Sequence, residues 1–233
     1  MAVPIMGHYE NAWQAVVRRV AAATTACGRA PGSVQLLAVS KTFPAEAVRA
    51  VYAAGQRAFG ENYVQEAVAK RAALADLSDA QWHLIGPLQS NKTAQAAATF
   101  DWVESVDRAR IAQRLSAQRP EGHAPLNVLV EVNVSGEASK SGVDPDAVVA
   151  LAREVAALPN LRLRGVMGIP APAIDGANAR AQFRALRDCF ERCRDAGLAV
   201  DTLSMGMSAD LEAAVAEGAT EVRVGTAIFG ARS

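Results

Sequence analysis

The chain has 233 residues, 51% of them hydrophobic, and its 24 lysines and arginines are balanced by 24 aspartates and glutamates. This length suits one α/β barrel domain, and the zero net charge favours neither nucleic acid nor an anionic membrane as a partner. The first residues lack the basic and apolar pattern of a signal peptide, and Arg18 and Arg19 interrupt the most apolar early stretch. We therefore expect no secretory leader and no membrane span.

The cysteines and histidines show no metal-binding pattern. Cys27 is isolated, whereas Cys189 and Cys193 lie four residues apart in a helical pattern, which indicates side chains that pack in a core. The three histidines are far apart, so no pair has the spacing of zinc ligands. We expect no metal site, and the odd number of cysteines indicates a reducing, cytoplasmic location.

Eight short apolar segments, rich in β-branched residues, run through the chain from one end to the other. Such segments predict strands that are buried on both faces of a parallel sheet. In chain order they cover residues 34–40, 56–61, 81–86, 101–106, 126–134, 162–169, 201–206 and 221–229.

Amphipathic segments with helical spacing separate these strands, and a further helix, at about 10–27, precedes the first one. Pro44 and Gly55 mark the beginning and the end of the helix after the first strand. Asp144 is a candidate N-cap, followed by Pro145. Eight strands that alternate with helices predict an α/β fold of the (β/α)8 barrel type, a TIM barrel.

A doubly wound open sheet is the competing fold. It would call for a glycine-rich turn after the first strand, but this strand ends in Lys41. No linker, low-complexity run or repeat divides the sequence, so we expect residues 1–233 to form a single barrel domain. Because the active sites of such barrels lie at the carboxyl ends of the strands, the residues that follow each strand are the candidate site residues.

Lys41 ends an apolar run and lies on the same side of the first strand as Leu37 and Val39. In a barrel this places its amine at the mouth, where a desolvated lysine is a nucleophile for aldehydes. The alternative is a lysine whose long side chain escapes to solvent past the end of the strand. Its position alone does not decide between the two.

A candidate anion site follows the last two strands. Strand seven, which contains Ser204, leads into Ser208 just before a helix, and Gly225 and Thr226 lie at the end of strand eight. Barrels commonly bind phosphate with the loops after these two strands, and a glycine there would let a ligand approach the backbone closely. The alternative is that Ser208 simply caps its own helix.

Arg223 lies inside an apolar strand, on the same face as Gly225. A buried guanidinium needs an acceptor, which could be Glu131 or Asn133 of strand five or a ligand atom such as a pyridine nitrogen. His83 also lies within a strand, and we interpret it as a core histidine with a satisfied hydrogen bond.

A lysine, an anion site and an interior arginine at one barrel mouth fit a phosphorylated aldehyde cofactor. Pyridoxal 5'-phosphate (PLP) would place its aldehyde at Lys41, its phosphate at Ser208, Gly225 and Thr226, and its ring nitrogen at Arg223. A different possibility is a Schiff-base aldolase, which would use the same lysine and anion site on a sugar phosphate without a cofactor.

Six segments closely resemble those of the pyridoxal phosphate homeostasis proteins, which are single-barrel relatives of the N-terminal domain of alanine racemase (fold type III). The resemblance spans about residues 34–232. The segments are AVSKTFPAEAV, FGENYVQEA, WHLIGPLQSNK, EVNVSGEASKSGV, LRGVMGIPAP and LSMGMSADLEAAVAEGATEVRVGTAIFGAR.

The resemblance implies a role for each candidate residue. Lys41 would carry PLP as a reversible Schiff base, and Arg223 would face the pyridine nitrogen. Many members have a second lysine where this chain has Phe43, so no role of that lysine transfers. The remaining pocket residues would be Asn62, Ser204 and Met205, together with the phosphate-binding Ser208, Gly225 and Thr226.

The family resemblance also implies a cofactor carrier in vitamin B6 homeostasis, with apo forms of PLP-dependent enzymes as candidate recipients. A racemase needs a second base on the opposite face of its substrate, and only Tyr63 lies near a strand end. Arginine at the ring nitrogen disfavours ring protonation and weakens the electron sink. We therefore expect a monomeric carrier without catalytic residues, and an amino-acid racemase-like enzyme is the alternative.

Overall fold

The computed structural model describes residues 3–137, 140–171 and 176–231. It confirms the predicted (β/α)8 barrel: eight parallel strands follow one another around a closed sheet, and the last strand pairs with the first. The strands are β1 (Gln35–Val39), β2 (Ala58–Glu61), β3 (Gln81–Leu84), β4 (Trp102–Val106), β5 (Leu126–Glu131), β6 (Leu161–Met167), β7 (Thr202–Ser204) and β8 (Glu221–Val224).

Helices surround the barrel, as the amphipathic segments predict. They are α1 (Val3–Ala26), α2 (Ala45–Ala53), α3 (Val64–Ala73), α4 (Thr93–Thr99), α5 (Ala109–Gln118), α6 (Val148–Ala156), α7 (Gly176–Asp195), α8 (Leu211–Ala216) and α9 (Thr226–Phe229). Short 3-10 turns precede α4 (Ser90–Lys92) and α6 (Pro145–Ala147). Asp144 caps the second turn, as predicted, by accepting a hydrogen bond from the Asp146 amide at 2.8 Å.

The prediction differs from the structure mainly at the carboxyl ends of two strands. The predicted eighth strand, 221–229, ends at Val224, and its last residues form the short helix α9. The predicted fifth strand, 126–134, ends at Glu131. Apolar β-branched residues continue past both ends, so composition alone could not locate where the chain leaves the sheet.

Alternation along the strands separates two apolar regions. The larger one lies between the sheet and the helices and includes Ala38, Val103, Val128 and Val224. Inside the barrel, two small apolar clusters remain, formed by Leu37, Val39 and Ile85 and by Trp102, Leu129 and Met167. The rest of the interior is polar, which is where the site arises.

The first helix, α1, packs against α2, α8 and α9 and so covers the seam between the first and last units of the barrel. Arg29, just after α1, reinforces this seam by donating hydrogen bonds to the carbonyl oxygens of Val215 (3.1 Å) and Ala219 (2.7 Å). No helix in the described part of the chain is both long enough and apolar enough to cross a bilayer.

Gly206 sets the turn that leads from β7 towards the site. It has a φ of 92°, and a Cβ at this position would overlap the Cβ of Ala214. We expect Gly206→Ala to lower the free energy of unfolding by about 3 kcal/mol, because backbone strain and steric overlap add. Urea denaturation measures this loss.

Gly197→Ala is the matched control for this substitution. Gly197 also has a positive φ, 79°, but a Cβ there would meet no atom within 4 Å. Only the strain remains, so a loss of about 1 kcal/mol is expected. Equal losses in the two variants would show that the contact with Ala214 does not matter.

Candidate functional site

A cavity of about 310 Å³ opens at the carboxyl ends of β1, β2, β3, β6, β7 and β8. Six of the eight residues predicted for the site line it: Lys41, Asn62, Ser208, Arg223, Gly225 and Thr226. The other lining residues are Val39, Phe43, Ile85, Ile169, Met207, Ala209 and Gly230. These six residues therefore meet at one mouth, although they range from position 41 to position 226 of the sequence.

Lys41 lies where the parity of β1 predicts. Leu37 and Val39 point into the barrel and pack with Ile85, and Val39 forms part of the cavity wall next to Lys41. The lysine itself is half-buried. The apolar strand thus ends at a lysine that lines the cavity.

Ser204 and Met205 do not line the cavity, although the resemblance implied it. Met205 is fully buried in the core between sheet and helices, because it follows the inward-facing Ser204 in the alternation of β7. Ser204 lies one step below the cavity floor, where its hydroxyl contacts Arg223. Ser204 therefore influences the site indirectly, by holding the guanidinium of Arg223 through a hydrogen bond.

The loops after β7 and β8 form the polar end of the cavity. Ser208 does not cap α8, as one alternative had it; Asp210 occupies the N-cap position, and the Ser208 hydroxyl accepts a hydrogen bond from the Ala227 amide at 3.5 Å. The Ser208 hydroxyl and the exposed Thr226 thus belong to the same end of the cavity.

The structure explains the glycine at position 225 by packing against β1, whereas the sequence suggested the close approach of a ligand. A Cβ at this position would lie 3.1 Å from the carbonyl oxygen of Val39 and 3.4 Å from its Cβ. The glycine therefore permits the close approach of β1 and β8 beneath the cavity. Nothing in its environment requires a ligand to explain it.

Arg223 forms the floor of the cavity and is 3% exposed. Its guanidinium donates to the Ser204 hydroxyl at 2.7 Å and to the Gly168 carbonyl at 2.8 Å. The structural partners suggested by the sequence, Glu131 and Asn133, are not among these acceptors. A guanidinium has five N–H groups, and these bonds use two of them.

Below Arg223, a hydrogen-bonded network fills the barrel interior. Ser204 Oγ lies 2.8 Å from a carboxyl oxygen of Glu104 and 2.8 Å from one of Glu221. The other oxygen of Glu104 lies 2.7 Å from His83 Nδ1. All of these side chains are buried. Sequence reasoning missed the network because its members come from four different strands.

Hydrogen-bond counting places one proton on the carboxyl pair. The Ser204 hydroxyl has a single proton, so it cannot donate a hydrogen bond to both carboxyl groups. It also accepts a hydrogen bond from Arg223. It can donate to one and accept from the other, provided that the other is protonated. Since His83 Nδ1 already pairs with Glu104, the geometry favours Glu104 as the carboxylate and Glu221 as the neutral acid.

Electrostatics lead to the same assignment. Burial, followed by the neighbouring Glu104, raises the pKa of Glu221 to about 8. Burial also raises the pKa of Glu104, which Arg223 and Ser204 partly offset. Burial lowers the pKa of His83, which favours its neutral form. A neutral His83 donates from Nδ1 to Glu104, and its Nε2 has no hydrogen-bond partner among the described residues.

The same three side chains are the one group of described His, Cys, Asp and Glu residues whose ligand atoms lie close enough for a metal ion, within 4.8 Å of one another. In this structure the nearest of these atoms bond to each other and to Ser204. Hydrogen bonds thus join all three side chains into one cluster without an ion, with His83 Nε2 left without a partner among the described residues, and we interpret the cluster as a proton-sharing network.

Apolar side chains form the rim of the cavity, and no pattern in the sequence indicated them. Ile169 and Met207 are 40% and 41% exposed, which is unusual for large apolar residues. Phe43 stacks on Phe229 with ring centroids 5.3 Å apart. The aromatic pair joins the turn after β1 to α9 and encloses the side of the cavity next to Lys41.

Comparison with known proteins identifies the family. A family model described as alanine racemase, N-terminal domain, matches residues 13–233. The chain is 61% identical over 217 residues to a pyridoxal phosphate homeostasis protein of Pseudomonas aeruginosa, with 93% of each chain covered. It is 51% identical over 216 residues to the protein of the same name in Escherichia coli, with 92% of each chain covered.

A solved structure agrees with these relatives. PipY of Synechococcus elongatus, with PLP bound, matches with a TM-score of 0.80 and 42% identity, over 91% of this chain and 100% of PipY. The closed barrel, the cavity at the carboxyl ends of its strands and the sequence matches lead to one conclusion. The chain belongs to the alanine racemase N-terminal domain family and, within it, to the pyridoxal phosphate homeostasis proteins.

Proposed function

We propose that this chain binds PLP in the cavity at the barrel mouth, holds it as a reversible Schiff base on Lys41, and serves in PLP homeostasis as a carrier without catalytic activity of its own. Residues 1–233 would act as one PLP-binding domain in the cytoplasm. The names of the relatives from P. aeruginosa and E. coli and the PLP bound to PipY support this proposal.

The cavity fits the cofactor in size and in chemistry. Its volume, about 310 Å³, falls in the range typical of small-molecule sites, roughly 300–1,000 Å³. Asn62 has a side-chain oxygen that is shielded from solvent and has no hydrogen-bond partner among the described residues, so a bound polar group would satisfy it. Ser208, Gly225 and Thr226 would hold the phosphate, and Arg223 would face the ring nitrogen.

The observation that carries the carrier assignment is the shortage of ionisable groups in the cavity. Among its described lining residues, only Lys41 and Arg223 can carry a charge, and no histidine, cysteine, tyrosine, aspartate or glutamate lines it. Racemisation needs a second base that faces Lys41 across the substrate. Tyr63, the nearest candidate by sequence, is 57% exposed and lines a neighbouring cavity instead.

Arg223 further favours holding the cofactor over using it. Bound PLP supplies an electrophilic aldehyde and an electron-withdrawing ring. A guanidinium keeps its protons at any physiological pH, so Arg223 would donate a hydrogen bond to the ring nitrogen without protonating it. Ser204 and the Gly168 carbonyl hold the guanidinium in place, which would favour an unprotonated ring nitrogen in bound PLP.

A chain of this kind is expected to act alone. All the residues proposed to hold PLP come from one chain and already meet in one cavity, so a monomer would suffice. Candidate recipients are apo forms of PLP-dependent enzymes. Transfer is tested by mixing the chain, loaded with labelled PLP, with an apo-enzyme and comparing the rate of enzyme activation with the rate of free release.

The assignment as a carrier is tested by proton exchange. We expect the PLP-loaded chain to exchange the α-protons of amino acids with deuterated water no faster than free PLP does, since the described lining offers no second base. Nuclear magnetic resonance on a panel of amino acids measures the exchange. Exchange at rates of about 1 s⁻¹ or more, typical of enzymes, would instead support the racemase-like alternative.

A further inference from the structure

The chain turns sharply just after Lys41. Thr42 has a φ of 68° and is, within the described ranges, the one residue other than glycine with a positive φ. A β-branched residue disfavours this conformation strongly, so the surrounding structure must hold it. The strained residue directly follows the lysine proposed to bind the cofactor.

Helix α3 supplies the groups that hold this turn. Lys70 Nζ donates a hydrogen bond to the Ser40 carbonyl at 2.7 Å, and the Thr42 amide donates to Glu66 Oε2 at 3.0 Å. The Ser40 carbonyl belongs to the peptide group before Lys41, and the Thr42 amide belongs to the peptide group after it. Two residues one helical turn apart therefore fix both peptide groups that flank Lys41.

Buried neighbours hold Lys70 in place. Its ammonium group lies 2.7 Å from Glu61 Oε1, which also accepts a hydrogen bond from the Ser40 hydroxyl at 2.6 Å. Glu61 is fully buried and Lys70 is 8% exposed. A second, longer ion pair of 3.8 Å joins Lys70 to Glu66. Because a buried ion pair contributes little to stability, we infer that the pair of Lys70 and Glu61 beside Lys41 has a local structural role.

We propose that Glu66 and Lys70 are positioning residues for Lys41. By fixing the peptide groups on either side, they set the direction in which the lysine side chain leaves the backbone, and so present its amine to the aldehyde of PLP. Neither residue lines the cavity, so both act through Lys41. This inference rests on the proposed function, in which Lys41 forms the Schiff base.

The test separates the amine from the rest of the site with two ligands. PLP reports on Schiff-base formation through its absorbance, whereas pyridoxine 5'-phosphate, which has an alcohol in place of the aldehyde, reports only on binding of the ring and the phosphate. Glu66→Ala is expected to lower the Schiff-base formation constant about tenfold, because a misplaced reacting group is costly. Its affinity for pyridoxine 5'-phosphate should stay within about twofold of the unmodified chain.

Further variants refine this comparison. Glu66→Gln keeps an oxygen acceptor for the Thr42 amide and should recover most of the Schiff-base formation constant. Gln65→Ala, on the exposed side of the same helix, should leave both ligand measurements unchanged. Lys70→Met combined with Glu61→Gln removes the second contact without leaving a buried charge unpaired, and it should also lower the Schiff-base constant selectively.

The outcomes are distinguishable. If Glu66→Ala and the double variant form the Schiff base as well as the unmodified chain does, the positioning role is wrong while the proposed function stands. If the constants for both ligands fall together, the two residues only maintain the structure, and the positioning role is again wrong. If the unmodified chain forms no Schiff base with PLP, the proposed function fails and this inference fails with it.

Discussion

Lys41→Ala is expected to abolish the Schiff-base absorbance of the PLP complex and to weaken PLP binding by about 100-fold, which corresponds to roughly 3 kcal/mol of binding free energy. The reason is that Lys41 is the one amine among the described residues of the cavity. Ser208, Thr226 and Arg223 remain in the variant, so weak binding through the phosphate and the ring should persist. Spectrophotometric titration measures both effects.

Lys92→Ala is the matched control for this result. Lys92 lies at the same end of the barrel but lines a neighbouring cavity and not the one with Lys41. It should bind PLP as the unmodified chain does, with the same absorbance. A Schiff-base signal that survives in Lys41→Ala and disappears in Lys92→Ala would place the cofactor in the neighbouring cavity, next to Lys92, and would contradict the proposed function.

Glu221→Gln is expected to stabilise the protein at alkaline pH. The pKa of Glu221 is about 8 in the folded chain against an ordinary value of 4.5, so the folded state binds more protons than the unfolded state between these limits. The free energy of unfolding must therefore fall as the pH rises through this window. Glutamine mimics the neutral acid and can donate to Ser204, so the variant lacks this loss.

Between pH 7 and 8.5 the comparison with Glu221→Gln isolates the effect of Glu221, because the other groups whose pKa values are raised by burial, Glu104, Cys189 and Cys193, are present in both proteins. Glu131, with a pKa raised to about 7, contributes in the same direction but mostly below this range. The lowered pKa of His83 acts in the opposite direction, and only near or below its ordinary value of 6.5. We expect the unmodified chain to lose about 1 to 2 kcal/mol of unfolding free energy from pH 7 to 8.5, and Glu221→Gln to lose much less.

Urea denaturation at several pH values measures these losses. Glu154→Gln, which removes an exposed carboxylate on α6, should follow the unmodified chain throughout. If Glu221→Gln is less stable than the unmodified chain at pH 8.5, Glu221 is ionised and paired in the folded state, and the proton assignment within the interior network is wrong.

The sequence predicted the barrel and most of the cavity because both depend on local patterns. Alternation of short apolar strands with amphipathic helices is a strong signal for the fold, and parity along a strand correctly placed Lys41 and Arg223 on the interior face. In a parallel barrel the residues at the carboxyl ends of the strands meet by geometry, so Ser208 and Thr226 could be placed at the same mouth without knowledge of contacts.

The remaining features depend on contacts between distant segments. The network of His83, Glu104, Ser204 and Glu221 forms across the barrel, and each member taken alone resembles an isolated polar residue in an apolar strand. The structural partners suggested for Arg223, Glu131 and Asn133, differ from its acceptors in the structure, Ser204 and the Gly168 carbonyl, for the same reason. The need for glycine at position 225 comes from the approach of Val39, which no spacing in the sequence reveals.

The most direct test of the proposed function is borohydride reduction of the PLP-loaded chain, followed by proteolysis and mass spectrometry of the labelled peptides. Reduction fixes a Schiff base permanently on the amine that formed it. We expect stoichiometric labelling of the peptide that contains Lys41. Stoichiometric labelling of another lysine, or no label on a chain that nevertheless retains PLP, would contradict the central claim that Lys41 holds the cofactor.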